Sequence, residues 1–214
     1  MNNRMILNVV IDANIGAGKT TLIGNLRKKL VSTDKIIFNF FEENVEEWIN
    51  EGWLSKYYSN IPKYASSFQM RVLLSHIEQR KKIKELNKTQ TTPIIVNICE
   101  RCAMTTVYVF SKMLVNDGYL DQMEMDMHKR SLDVYEYEKP DILIYLDTSP
   151  ESSYERLKNR SRNGETTISL DYLKKLHEIY CEEKHNIAKK VILLNGNENK
   201  DDVLRECEMQ LSAI

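Results

Sequence analysis

The run Val9-Val10-Ile11-Asp12-Ala13-Asn14-Ile15-Gly16-Ala17-Gly18-Lys19-Thr20-Thr21 sets two close glycines, a lysine and two hydroxyls directly after an apolar, β-branched stretch. A loop of this kind closes a strand, opens a helix, and turns its backbone N–H groups inward around an anion. The residues expected to form the cradle are Asn14, Ile15, Gly16, Ala17, Gly18, Lys19, Thr20 and Thr21. Gly16 and Gly18 permit the tight turn, Lys19 reaches β- and γ-phosphates, and the Thr20 hydroxyl holds Mg²⁺. Ala13 stands where such loops usually have their first glycine, a small-for-small exchange. The expected ligand is ATP with Mg²⁺.

Such a loop serves kinases, ATPases and switch GTPases alike, so the acceptor must be read elsewhere. Two acidic segments follow later apolar runs: Phe41-Glu42-Glu43-Asn44-Val45-Glu46-Glu47-Trp48 and Cys99-Glu100-Arg101-Cys102. In a parallel α/β sheet both fall at the carboxyl edge beside the phosphate loop, where ligands bind. There one carboxylate can take the proton of an attacking hydroxyl and another can sit in the Mg²⁺ shell.

The elements that must position these groups are legible from apolar periodicity. Short β-branched runs at Met5 to Asp12, Lys35 to Phe41, Ile94 to Cys99, Asp141 to Asp147 and Val191 to Asn195 read as strands. Their near-continuous Ile, Val and Leu predict a parallel sheet covered on both faces. Lys19 to Val31, Ser66 to Asn87, Arg101 to Val115, Leu120 to Tyr137, Ser149 to Arg160 and Ser169 to Lys189 read as helices. Gly52 to Lys63, Lys88 to Thr92 and Arg160 to Thr167 are the expected loops. The class is α/β, a five-stranded parallel sheet with helices on both faces, and 214 residues without a linker or repeat read as one domain, 1–214.

The net charge of −1 with 29% charged residues gives no sign of a nucleic-acid partner. No 18-residue apolar run predicts a membrane span, and the start carries no secretory or organellar lead, so a cytoplasmic location is expected. Cys99, Cys102, Cys181 and Cys207 lack the spacing of a zinc site and read as reduced thiols.

Taken together, the motifs resemble those of the deoxyribonucleoside kinase family over nearly the whole chain. The family's Glu-Pro-Val-x-x-Trp segment reads here Glu43-Asn44-Val45-Glu46-Glu47-Trp48, with Asn44 in place of proline, and its Glu-Arg-Ser reads Glu100-Arg101-Cys102. Tyr58 to Gln69 is similar to its nucleoside-binding stretch ending in Phe-Gln, and Tyr154 to Glu165 to its Arg-rich lid. The resemblance implies a P-loop kinase fold and transfer of the ATP γ-phosphoryl group to the 5′-hydroxyl of a deoxyribonucleoside, for nucleotide salvage and DNA precursor synthesis. It implies Glu43 as general base, Arg101 on the 5′-oxygen, Lys19 on the phosphates, and Thr20 and Glu100 on Mg²⁺. Gln69 would meet the base between Trp48, Phe68 and Phe110, with Val72, His76 and Thr106 flanking it. Tyr58 and Glu165 would bond the sugar 3′-hydroxyl, and Arg156, Arg160 and Arg162 would close on the phosphates. Asn195 to Asp201 falls where the family lays adenine, and the family pattern favours a homodimer through long helices.

A nucleoside monophosphate kinase shares loop, sheet and lid, but needs added arginines to grip an acceptor phosphate. An ATP-binding switch or scaffold needs neither Glu43, Arg101 nor Gln69. The base is less defined: no Arg–Asp pair is present at 76 and 106. Gln69 with the small Thr106 and a neutral His76 suits a pyrimidine-leaning, permissive site.

Overall fold

The computed structural model describes residues 4–160 and 168–213. Five strands, β1 (Met5–Asp12), β2 (Ile36–Phe41), β3 (Ile94–Glu100), β4 (Ile142–Asp147) and β5 (Lys190–Asn195), form one sheet in the order β2-β3-β1-β4-β5. All neighbours are parallel. Each strand begins or ends within one residue of its expected boundary, because a strand buried on both faces leaves an uninterrupted apolar signature.

Alternate residues divide between two cores, as the period-two pleat requires. Val9, Ile11, Ile144 and Leu146 pack with Leu22, Ile23 and Leu26 of α1 (Lys19–Lys29) and with Val203, Leu204 and Cys207 of α10 (Lys200–Ser212). Val10, Cys99, Leu143 and Tyr145 pack on the other face. Their partners come from α4 (Ile61–Thr89), α5 (Ala103–Thr105), the π-helical segment Thr106–Ser111 and α9 (Leu170–Ile187). The remaining helices are α2 (Val45–Asn50), α3 (Trp53–Ser59), α6 (Lys112–Asn116), α7 (Gln122–Val134) and α8 (Pro150–Arg160).

Three local expectations change. Gly52 to Lys63 is α3 and the first turn of α4, not a loop. Gly52 enters α3 at φ 76, and Leu54 and Tyr57, three apart, bury against Phe68 and Ala65 of α4. The chain is too short there for a full periodic signal, so packing supplies the helix. The tail beyond β5 is helical, with Val203, Leu204, Cys207 and Leu211 on its buried face. The helix expected from Arg101 starts at Ala103 and widens into a π segment over Thr106–Ser111, a form common at functional sites. Arg101 itself takes φ 57, one of two non-glycine residues with positive φ among the described residues.

Candidate active site

The phosphate loop is shaped by backbone. Gly16 has φ +79, and a Cβ there would lie 2.4 Å from the carbonyl oxygen of Ser153 in α8. Gly18 has φ +108 at the entry to α1, so both glycines are required. Ala13 is fully buried and is not a positive-φ residue, and so needs none of glycine's freedom. The Asn14 amide donates to the carbonyl of Leu173 at 2.8 Å while its oxygen accepts from the N–H of Ile15 at 2.8 Å. Asn14 therefore pins the loop to α9, and it does not line the cavity; nor does Ala17, which is fully buried.

Lys19 curls back over the loop, its Nζ donating to the carbonyls of Ala13 at 3.3 Å and Asn14 at 3.0 Å. Burial, with the Arg101 charge, lowers its pKa to about 8. The Thr20 hydroxyl donates to Glu100 Oε1 at 3.0 Å, joining a hydroxyl and a carboxylate beside Lys19. Burial raises the Glu100 carboxyl, and Lys19 only partly opposes it. Arg156 of α8 donates to the carbonyls of Ala17 at 2.8 Å and Gly196 at 3.1 Å. That bridge sets the turn after β5, within the stretch expected to meet adenine, against the phosphate loop.

At the end of β3, Arg101 faces two carboxylates. Its Nη1 donates to Glu43 Oε1 at 3.1 Å and Oε2 at 2.8 Å, and its Nε to Asp12 Oδ1 at 3.3 Å. The Phe110 ring lies under the guanidinium, 5.0 Å from the ring centroid. Burial alone would raise the Glu43 carboxyl; the Arg101 charge, with smaller contributions from His76 and Lys19, holds it below the usual carboxylate range. Glu43 is therefore ionised at neutral pH, as a general base must be. Glu42, its neighbour, also borders the cavity, but its carboxylate pairs with Arg27 at 2.8 Å, where both side chains are about half exposed.

These groups open on one cavity of about 750 Å³. Lys19, Thr20, Thr21 and Arg156 line one end, Glu43, Glu100 and Arg101 the middle, and Trp48, Tyr58, Phe68, Gln69, Val72, Thr106 and Phe110 the other. The aromatic end rests on a core in which Trp48 meets Phe68 edge-on at 6.0 Å. Among the described residues the Gln69 side chain has no protein hydrogen bond, so its amide is available to a ligand.

His76 is the exception. It shares the Gln69–Val72 face of α4, but one turn deeper. There its ring is 3% exposed, sits edge-on to Trp48 at 6.4 Å, and lines a separate, water-sized cavity with Arg80 and Cys102. Burial lowers its pKa, so it is neutral near pH 7. The lid is described only to α8: Arg162 and Glu165 lie outside the described residues, as does the side chain of Arg160. Sequence reasoning missed Asp12, Thr105 and Tyr180, which meet behind Arg101. The one available signal was an acidic residue closing an otherwise apolar strand.

Fold and site define a P-loop phosphotransferase with a buried Glu43–Arg101 pair in its cavity. Residues 9–210 match the deoxynucleoside kinase family. The chain is 32% identical to deoxyadenosine kinase from Dictyostelium discoideum over 90% of its own length and 74% of that protein. It is 28% identical to deoxycytidine kinase 2 from Gallus gallus, over 79% of this chain and 70% of that one. Among solved structures, deoxyadenosine kinase from M. mycoides superposes with a TM-score of 0.79 at 23% identity, covering 97% of this chain and 100% of the other. The chain belongs to the deoxynucleoside kinase family and is an ATP-dependent nucleoside kinase.

Proposed function

We propose that the enzyme transfers the γ-phosphoryl group of ATP to the 5′-hydroxyl of a deoxyribonucleoside, supplying DNA precursors by salvage in the cytoplasm. The observation that carries this reading is one cavity lined by the phosphate loop, by Glu43 paired with Arg101, and by aromatic walls around the Gln69 amide. Glu43 accepts the 5′-hydroxyl proton as the new oxygen–phosphorus bond forms, and the bond to the β–γ bridging oxygen breaks to leave ADP. Arg101 meets the 5′-oxygen, while Lys19 and Arg156 face the phosphates.

Mg²⁺ fits the Thr20–Glu100 pair, since a hydroxyl and one carboxylate suffice for an ion that takes its other oxygens from phosphate and water. When bound, Mg²⁺ neutralises charge on the β- and γ-phosphates. Among the described residues, no helix is long and apolar enough to cross a membrane. An exposed apolar stripe on α7, Met123, Met127 and Val134, supports a homodimer built on that helix.

For the base, we infer a permissive site that leans to pyrimidines. Gln69 and Thr106 would read it without a charged pair, and His76, buried one turn further along α4, does not line the cavity. The test is ATP consumption, with Mg²⁺, for thymidine, deoxycytidine, deoxyadenosine and deoxyguanosine alongside their 5′-monophosphates. Turnover with the nucleosides alone is expected, and pyrimidines are expected to equal or exceed purines in kcat/KM. Faster turnover of the monophosphates would overturn the acceptor assignment. A purine exceeding both pyrimidines by about tenfold, roughly 1.4 kcal/mol, would overturn the pyrimidine lean.

A further inference from the structure

Asp12 closes β1 and is fully buried, yet it does not line the cavity. Its carboxylate collects four donors from four places. Oδ1 accepts from the N–H of Ala13 at 2.7 Å, from Arg101 Nε at 3.3 Å and from the Tyr180 hydroxyl of α9 at 2.8 Å. Oδ2 accepts from the Thr105 hydroxyl of α5 at 2.5 Å. A buried carboxylate so fully bonded has a single orientation. Every nitrogen of Arg101 is engaged as well, Nε with Asp12, Nη1 with Glu43 and Nη2 with the Ala13 carbonyl at 3.4 Å, with Phe110 under its plane, which leaves one Nη2 hydrogen for a ligand.

We propose that Asp12 is a positioning residue for phosphoryl transfer, holding Arg101 in register with Glu43, and that Tyr180 and Thr105 hold Asp12 in turn. The proposal rests on the roles proposed above for Glu43 and Arg101. Its physical content is the sharing of one guanidinium between two carboxylates. With the Asp12 carboxyl bonded behind it, Arg101 cannot swing wholly onto Glu43, so Glu43 stays aimed at the cavity as a base. Once Glu43 has taken the hydroxyl proton, Arg101 keeps Asp12 as its buried counter-ion, and the protonated state does not strand a bare cation. A neutral side chain at 12 removes both effects while keeping every residue of the phosphate loop, Lys19 and Thr20 included, in the sequence.

The test compares Asp12→Asn, Tyr180→Phe and the double variant with the parent, measuring kcat, and ATP affinity separately by binding of a fluorescent ATP analogue. Asp12→Asn is expected to lower kcat by about 50-fold or more with the analogue Kd within about threefold. Tyr180→Phe should lower kcat by about fivefold alone and add nothing in the Asp12→Asn background, because it acts through that carboxylate. A kcat for Asp12→Asn within about threefold of the parent would overturn the proposal. So would a Tyr180→Phe effect that adds in full, or an analogue Kd weakened as much as kcat falls, which would mark Asp12 as a loop anchor only. If Asp12→Asn does not fold, Tyr180→Phe and Thr105→Val carry the test: lowered kcat in both supports it, unchanged kcat in both overturns it. Glu43→Gln, run in parallel, separates the layers. Near-normal turnover there overturns the reading of the site, whereas its collapse beside an unaffected Asp12→Asn overturns only the role of Asp12.

Discussion

The phosphate-loop end of the cavity comes mainly from one run, Ile15 to Thr21, with Arg156 of α8 beside it, whereas the other end takes side chains from α2, α3, α4 and the π segment after β3. The first end is mostly backbone, set by Gly16 at φ +79 and Gly18 at φ +108. The second is mostly side chain, and it rests on helix packing around Trp48 and Phe68. Backbone cradles recognise a group common to all donors, and packed side chains can change without disturbing the sheet. On the proposed reading, chemistry and selectivity are housed in separable parts of one cavity, with Glu43 and Arg101 at the seam.

The sharpest way to break this comparison is Lys19→Ala. Among the described residues Lys19 bonds only its own loop's carbonyls, so the variant should fold with an unchanged melting temperature and lose at least about 10³-fold in kcat, roughly 4 kcal/mol. Steady-state turnover within about tenfold of the parent would remove Lys19 from the phosphate role. At the seam, Glu43→Gln keeps shape and one acceptor for Arg101 but cannot take a proton. The expected loss is about 10²-fold in kcat with the nucleoside KM little changed. A near-normal kcat with an unchanged pH–rate profile would move the base elsewhere, and Glu42, tied to Arg27, would be the next to examine.

The smallest effect belongs to the nucleoside end. Gln69→Ala should lower kcat/KM for the nucleoside by about tenfold, roughly 1.4 kcal/mol, and leave the KM for ATP alone. A change in ATP KM of the same size would mean that the two ends are not separable. A Gln69→Ala variant with unaltered kcat/KM would show that aromatic packing and Thr106, without an amide, select the base.

The residues expected from motif and spacing fell where local sequence controls geometry. The five strands, the glycine-lysine-threonine loop and the Glu43 and Arg101 segments at the carboxyl edge were all legible, because each is encoded by neighbours in the chain. What remained hidden depends on distant contacts. Gly52 to Lys63 read as a loop because six or seven residues carry little periodicity, and only burial of Leu54 and Tyr57 against α4 makes α3. His76 has the right spacing from Gln69 to face a base, yet depth along α4 puts it under Trp48 and away from the cavity. The Asp12 cluster joins β1 to Arg101, 89 residues on, and to Tyr180, 168 residues on. Sequence by itself determined the sheet, the glycine-lysine-threonine loop and the placing of Glu43 and Arg101 at the carboxyl edge, since periodicity and local motifs specify backbone. Tertiary structure decided which side chains reach the cavity and which brace those that do, since a side chain's reach depends on what packs beside it.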